Sequence, residues 1–213
     1  MNTRFDELHN DILSLKNTVI ENLLTENKRL RDKVDELENR ATKAEREIYS
    51  ADQYSRRNNI EINGIPNSVD DKHLETTVIN LLNEIDVEVD TSGIEACHRL
   101  PSKTGSKTTI IKFVNRKVCE EAMKNKFKLS SCDKSAIGIG EDVNIYINDS
   151  MCRYYKKLAW KCRLLKRAKL ISDTWVWGGN VHLRIDANER FHRIGHENDI
   201  TELFPEYEFP AAL

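Results

Sequence analysis

Ser55-Arg56-Arg57-Asn58-Asn59-Ile60-Glu61-Ile62-Asn63-Gly64-Ile65-Pro66 is the stretch whose reading decides the fold. Upstream of it, residues 1–57 contain neither Gly nor Pro, so nothing there breaks a helix. Within it, Ile60-Glu61-Ile62-Asn63 alternates with the period of a strand, and Gly64-Ile65-Pro66 turns the chain. Downstream, strand and helix patterns follow one another. The junction therefore separates a long helix from a mixed α+β region.

Working back from the junction, apolar positions recur at alternating steps of three and four. Phe5, Leu8, Ile12, Leu15 and Val19 form one series; Ile20, Leu23, Leu30, Val34, Leu37, Ala41, Ala44, Ile48 and Ala51 form a second, offset by one residue. This is the a/d seam of a coiled coil with one register skip near Val19 and Ile20. Asn27 takes an a position, where a polar side chain lowers stability but fixes register. Leu23, Asn27, Leu30, Val34, Leu37, Ala41, Ala44 and Ile48 are thus the candidate oligomerisation residues. A single amphipathic helix folded onto the globular part is the alternative, but the seam is narrow and lasts about four heptads after the skip, which favours self-association. Lys33-Val34-Asp35-Glu36-Leu37-Glu38 offers cross-subunit ion pairs that suit a trimer, whereas Asn27 pulls towards a dimer; a homotrimer is preferred.

Working forward, residues 71–85 are helical by period, with Leu74, Val78, Leu81, Leu82 and Ile85 on one face. Residues 93–100 read as a strand closed by Pro101, Lys103-Thr104-Gly105-Ser106 as a turn, and Thr108 to Val114 as a second strand. Asn115 is placed to cap a helix running to about Leu129. Gly138 and Gly140 mark a loop before a strand at Val143 to Ile147. The order β-α-β-β-α-β is the ferredoxin-like arrangement used by RRM domains. A helix follows from about Ser150 to Leu170, then a hairpin signal: Thr174-Trp175-Val176-Trp177 and Val181-His182-Leu183-Arg184-Ile185 flank Gly178-Gly179-Asn180. A short helical run at 199–204 stops at Pro205. The expected architecture is a coiled coil over 1–57, an RRM-like domain over 58–149, and a small α/β C-terminal domain over 150–213 with a long basic helix and a β-hairpin.

Composition narrows the function. The 213 residues leave room for one ordinary domain plus an extension, or two small ones. Five cysteines without a C-x-x-C pair make a disulfide framework the poorer reading and a reducing compartment the better one. Met1 to Glu7 has no apolar core of a signal peptide, and no apolar run reaches membrane-spanning length. The cytoplasm, with access to the nucleus, is the expected location, and no membrane partner is expected. Cys152, Cys162, His192 and His196 do not have the spacing of a closed zinc module, and Cys97 reads as a buried strand thiol, so no metal is expected. No phosphate-loop, dinucleotide, nucleophile-elbow or H-E-x-x-H motif is present. The adjacent carboxylates Asp70-Asp71 and Glu141-Asp142 have no second cluster to work with. A non-enzymatic protein without a cofactor is therefore expected.

A net charge of −2 alone argues against a nucleic-acid binder, but its distribution does not. From Ala96 to Cys119 there are six basic residues and no acid; from Ser150 to Leu170 there are eight and again no acid. A solvated structural helix interleaves both signs to gain i,i+4 pairs, whereas a one-sign stretch repels itself and suits a polyanion. On a helical wheel Met151, Tyr155, Leu158, Cys162 and Leu165 share a face to be buried; Arg153, Lys156, Lys157, Arg163 and Arg167 lie opposite, with Trp160 among them. Trp160 could stack on an unpaired base or pack under the hairpin of Trp175 and Trp177. Arg99, Lys103, Lys107 and Lys112 lie on the hairpin between the second and third strands, and a cleft between that hairpin and the basic helix would accept a sugar–phosphate backbone. RNA or single-stranded DNA is the partner this predicts.

Three stretches carry a family resemblance. Arg56 to Pro66, then Ile94-Glu95-Ala96-Cys97-His98-Arg99-Leu100-Pro101, then Ile110-Ile111-Lys112-Phe113-Val114-Asn115-Arg116-Lys117 resemble the first-open-reading-frame proteins of LINE-type retrotransposons. The C-terminal part is similar to the related few-polyhedra (FP) protein C-terminal domain. The resemblance implies a coiled-coil oligomer that coats RNA, acts as a nucleic-acid chaperone in a ribonucleoprotein, and has a retroelement reverse transcriptase as a further partner. It also implies binding roles for Arg99, for Lys107 where the family often has Arg, and for Lys156 and Lys157 ahead of Ala159-Trp160. Lys in place of Arg keeps the charge but loses the bidentate fork. The first strand, Ile60-Glu61-Ile62, lacks the base-stacking aromatics of a standard RRM, so binding is expected to be electrostatic and weakly specific. The competing reading is a protein-interaction adaptor, with the basic helix neutralised by the acidic run Glu197, Asp199, Glu202, Glu206 and Glu208.

Overall fold

Strand β1 (Asn59–Asn63) forms where the alternation begins, yet its three central residues are all buried rather than every second one. The computed structural model describes residues 2–101, 108–135, 139 and 143–210, with the side chains of 2–8 and 11 outside that description. The sequence readings at Phe5, Leu8, Lys103 to Lys107, Gly138, Gly140 and Glu141-Asp142 therefore lie, in side chain or entirely, outside the described residues. The protein is α+β and divides into two compact units, Met1–Ile48 and Tyr49–Leu213.

The described residues of the first unit are all helical, part of helix α1 (Asn2–Ser55). The seam residues Leu23, Leu30, Val34, Leu37 and Ile48 are 50–64% exposed in the single chain, and Asn27, Ala41 and Ala44 are exposed as well. Asn27 Nδ2 donates to the Leu23 carbonyl at 3.0 Å. Arg29–Glu26 at 2.7 Å and Lys33–Glu36 at 2.8 Å are ion pairs on open surface, which contribute little by themselves. The helix thus presents an apolar stripe that its own side chains leave uncovered.

The second unit begins with the last turns of α1 and holds two sheets. The first has the order β2-β3-β1-β4, every neighbouring pair antiparallel, built from β1, β2 (Ile94–Arg99), β3 (Thr109–Phe113) and β4 (Tyr146–Asp149). Helix α2 (Leu74–Glu84) links β1 to β2, and α3 (Arg116–Asn125) links β3 to β4. Period-two alternation puts Ile60, Ile62, Ile111 and Phe113 on one face, where they form a core with Leu74, Val78, Leu81 and Leu82 of α2 and with Cys119 and Ala122 of α3. Asn115 caps α3 by accepting from the Lys117 N–H at 2.9 Å, as its position predicts. Gly64 has φ +102°, and a Cβ there would collide with the Asn144 carbonyl, so the turn after β1 requires glycine.

The other face of β1 explains the departure from strict alternation. Glu61 is buried because its carboxylate accepts from Lys156 Nζ at 2.8 and 2.9 Å and from Ser150 Oγ at 3.2 Å. These residues open the C-terminal part: α4 (Arg153–Arg167), a three-stranded antiparallel sheet ordered β5-β6-β7 (Asp173–Trp177, Asn180–Arg184, His192–Ile194), and α5 (Glu197–Leu203). Tyr155, Leu158, Cys162 and Leu165 of α4 pack on Val181, Leu183 and Ile194 of the sheet. The sequence does not predict the three-residue strand β7, because its single buried position, Ile194, gives no period. β4 starts later than the expected strand at 143–147, and α4 later than Ser150.

The boundary after α1 also moves. Tyr49 stacks on Tyr154 with ring centroids 3.7 Å apart. Gln53 is buried, its Nε2 donating to the Ser150 carbonyl at 3.0 Å and its Oε1 accepting from the Cys152 N–H at 2.9 Å. The end of the helix is thereby part of the globular unit, and the division falls after Ile48 rather than after Arg57.

Candidate nucleic-acid interface

Three elements meet around Gln53 and leave a cleft of about 360 Å3. Arg56 and Arg57 follow directly on α1, where their charge complements the carbonyl end of the helix. Arg56 Nε contacts Asp52 at 3.1 Å, and the Arg57 guanidinium lies over the Tyr54 ring at 4.0 Å. Helix α3 contributes Arg116, held to Glu120 at 2.8 Å, and Lys124, with Lys126 just beyond its end. Lys124 and Lys126 make no ion pair among the described residues. The β5–β6 hairpin supplies Trp177, 67% exposed, and Gly178-Gly179.

Glycine is needed at the hairpin tip. Gly178 and Gly179 have φ +57° and +75°, the left-handed pair a two-residue turn between twisted strands demands. A Cβ on Gly179 would strike the Gln53 side chain, and its N–H donates to Asp149 Oδ1 at 3.2 Å. The tip is thus fastened both to the helix end and to β4. Burial pushes the Asp149 carboxyl above its ordinary range, against the pull of Lys126 and the Gly179 N–H. Burial likewise pushes the Cys119 thiol up to about 12, so this cysteine lines the cleft as an uncharged, unreactive group.

Five cations therefore face two carboxylates, Glu120 and Asp149, beside an exposed indole. Cations hold phosphates without regard to sequence, and an indole face stacks on any unpaired base. Comparison with known proteins returns no matching family model and no matching curated protein. Among the described residues no group of His, Cys, Asp and Glu could hold a metal ion, and no described helix is long and apolar enough to cross a membrane.

The ten residues predicted from sequence do not form one site. Arg99, contrary to the sequence expectation, serves the fold: its side chain is 5% exposed, and its guanidinium donates to the carbonyls of Ile65, Pro66 and Val69 and pairs with Asp71 at 3.1 Å. It ties the loop after β1 to β2 and has no face left for a phosphate. Lys112 is paired with Glu95 at 2.5 Å on the sheet. Lys156 is held by Glu61, and Lys157 by Glu197 at 2.6 Å. Lys103 and Lys107 lie outside the described residues. Arg153, Arg163 and Arg167 are exposed and make no ion pair among the described residues. Trp160 is half-buried; Trp175 and Trp177 alternate onto the face of their sheet turned away from α4, so they do not cover it.

The cleft residues were partly visible beforehand. Arg56-Arg57 stood out as the boundary and Gly178-Gly179 as a turn, but neither element's period says that the two meet. The signal overlooked is Lys124-x-Lys126 at the end of α3, a cationic run with no acid between.

Proposed function

We infer that the chain is an oligomeric single-stranded RNA-binding protein that coats RNA and acts as the nucleic-acid chaperone of a retrotransposon ribonucleoprotein. The observation that carries this reading is the cleft around Gln53, where Arg56, Arg57, Arg116, Lys124 and Lys126 surround an exposed Trp177. The strand order β2-β3-β1-β4 with helices α2 and α3 on one face supports an RRM-like assignment for residues 58–149. The buried Glu61–Lys156 pair on the opposite face supports binding outside the sheet surface that RRM domains usually use. The exposed seam of α1 supports self-association, a trimer preferred, which would multiply weak contacts along one RNA. The motifs at 56–66, 94–101 and 110–117 supply the retroelement context, including a reverse transcriptase as partner. The reading is of a binding protein without catalysis, acting in the cytoplasm with access to the nucleus.

Fluorescence anisotropy of a labelled single-stranded RNA, titrated with the full chain, tests this. Affinity should fall by about 10²-fold between 50 and 200 mM salt, the slope of about five phosphates neutralised on a single strand. Salt-insensitive binding, or none at low salt, would overturn it.

A second reading has one specific observation behind it. All four lysines of α4 are paired within the fold: Lys156 with Glu61, Lys157 and Lys161 with Glu197, and Lys166 with Asp173. Burial would raise the Glu197 carboxyl, but its hydrogen bonds from Lys157 and Lys161 prevail and hold it below the usual range. A basic helix neutralised in this way fits a coiled-coil adaptor for another protein, and absence of RNA binding at low salt would favour it.

A further inference from the structure

The sheet β5-β6-β7 buries one face against α4 and turns the other outward. Its register pairs Trp175 with His182 and Trp177 with Asn180, so both tryptophans project on the outward side. Trp175 and His182 are stacked, 5.6 Å apart and within 15° of parallel, and Phe191 meets both edge-on at 5.7 and 5.3 Å. Arg184 lies over Trp175 at 5.6 Å, and Arg193, directly across from His182, is fixed to Asn180 at 2.5 Å. Two rings of this set are open: Trp177 is 67% and Phe191 54% exposed. Burial, then Arg193, holds the His182 imidazole below its ordinary value, so near neutral pH it is an uncharged ring within the stack.

A surface of this kind is unusual for a structural sheet, whose outward positions are ordinarily polar. Aromatic faces interleaved with guanidiniums are the chemistry that takes unpaired bases and their phosphates. Trp177 belongs both to this face and to the rim of the cleft, so the two are continuous. We propose that the outward face of β5-β6-β7 is a base-stacking platform for single-stranded nucleic acid, on which Trp177 and Phe191 stack bases and Arg184 and Arg193 hold phosphates as the strand leaves the cleft. This rests on the nucleic-acid reading of the cleft and adds a second segment of path to it. The aromatic face gives affinity for bases; the cleft gives affinity for the backbone.

The test separates the two. Full-length protein and the variants Trp177→Ala, Phe191→Ala, Trp177→Phe and Phe191→Tyr are titrated against a labelled single-stranded RNA and an abasic ribose–phosphate strand of equal length. Far-UV circular dichroism and melting temperature check that each variant folds. Each alanine variant should bind the RNA about tenfold or more weakly, the usual loss per stacked base, with an unchanged salt slope. The abasic strand should bind the parent protein and all variants alike, and Trp177→Phe and Phe191→Tyr should recover most of the RNA affinity. Alanine variants that bind RNA as the parent does would overturn the platform and the stacking role of Trp177 while leaving the phosphate-binding cations of the cleft standing, and would make this face a candidate for a protein partner. Failure of the parent protein to bind either strand would overturn both.

Discussion

Arg99 shows how one residue can carry the right charge in the right motif and still serve the fold. Its three carbonyl partners and Asp71 anchor the loop between β1 and α2. Arg99→Ala should lower stability by about 1–3 kcal/mol, since it leaves buried carbonyls without donors. Urea denaturation measures that loss, and the salt dependence of RNA binding should not change. Asp149 is the opposite case, a carboxylate that the cleft disfavours. Its folded pKa lies above the unfolded value of about 3.9, so between the two the folded state holds more protons. That contribution is full below the unfolded pKa and is lost as pH rises through the folded one. Asp149→Asn keeps an acceptor for the Gly179 N–H and removes the charge. It should stabilise the protein at neutral pH by about 1 kcal/mol or less, the scale of one partly screened charge, and remove the loss of stability that ionising Asp149 causes as pH rises. It should also tighten RNA binding, because one repulsive charge leaves the cleft. Equal melting temperatures at neutral pH together with unchanged affinity would contradict this.

At the scale of elements, the long helix, α2, β2, β3, the capped α3 and the β5–β6 hairpin were legible because each has a period or a turn residue tied to local geometry. β7 was not, having one buried position, Ile194, between the exposed Arg193 and Gly195. The site was legible only in kind. Charge runs at 96–119 and 150–170 predicted a polyanion surface, but a run cannot show which of its charges meet carboxylates distant in sequence. Glu61 is 95 residues from Lys156, and Glu197 is 36 from Lys161. The cleft has the same long-range origin, joining α1, α3 and a hairpin that no local pattern connects. Lys124→Glu with Lys126→Glu tests that element-level assignment. The pair should reduce the salt slope of RNA binding by about one per lysine and weaken binding uniformly across sequences. An unchanged slope in a folded variant would place the phosphates elsewhere.

For the whole molecule, the exposed seam of α1 and the cleft have separable consequences. Leu30→Asp with Leu37→Asp should convert the oligomer to monomers by light scattering and leave the melting of the globular unit in place. Affinity for a long RNA should then drop by about 10²-fold or more as avidity is lost, while a short oligonucleotide filling one cleft binds as before. A variant that stays oligomeric would mean that the seam at Leu23 to Ile48 does not hold the chains together. The most direct test of the account is photocrosslinking of full-length protein to 4-thiouridine-containing single-stranded RNA, with the attached peptides identified by mass spectrometry. The account predicts attachment at Trp177 and within Arg116 to Lys126. Attachment confined to the outward arginines of α4, Arg153, Arg163 and Arg167, or to β2 and β3, would contradict it.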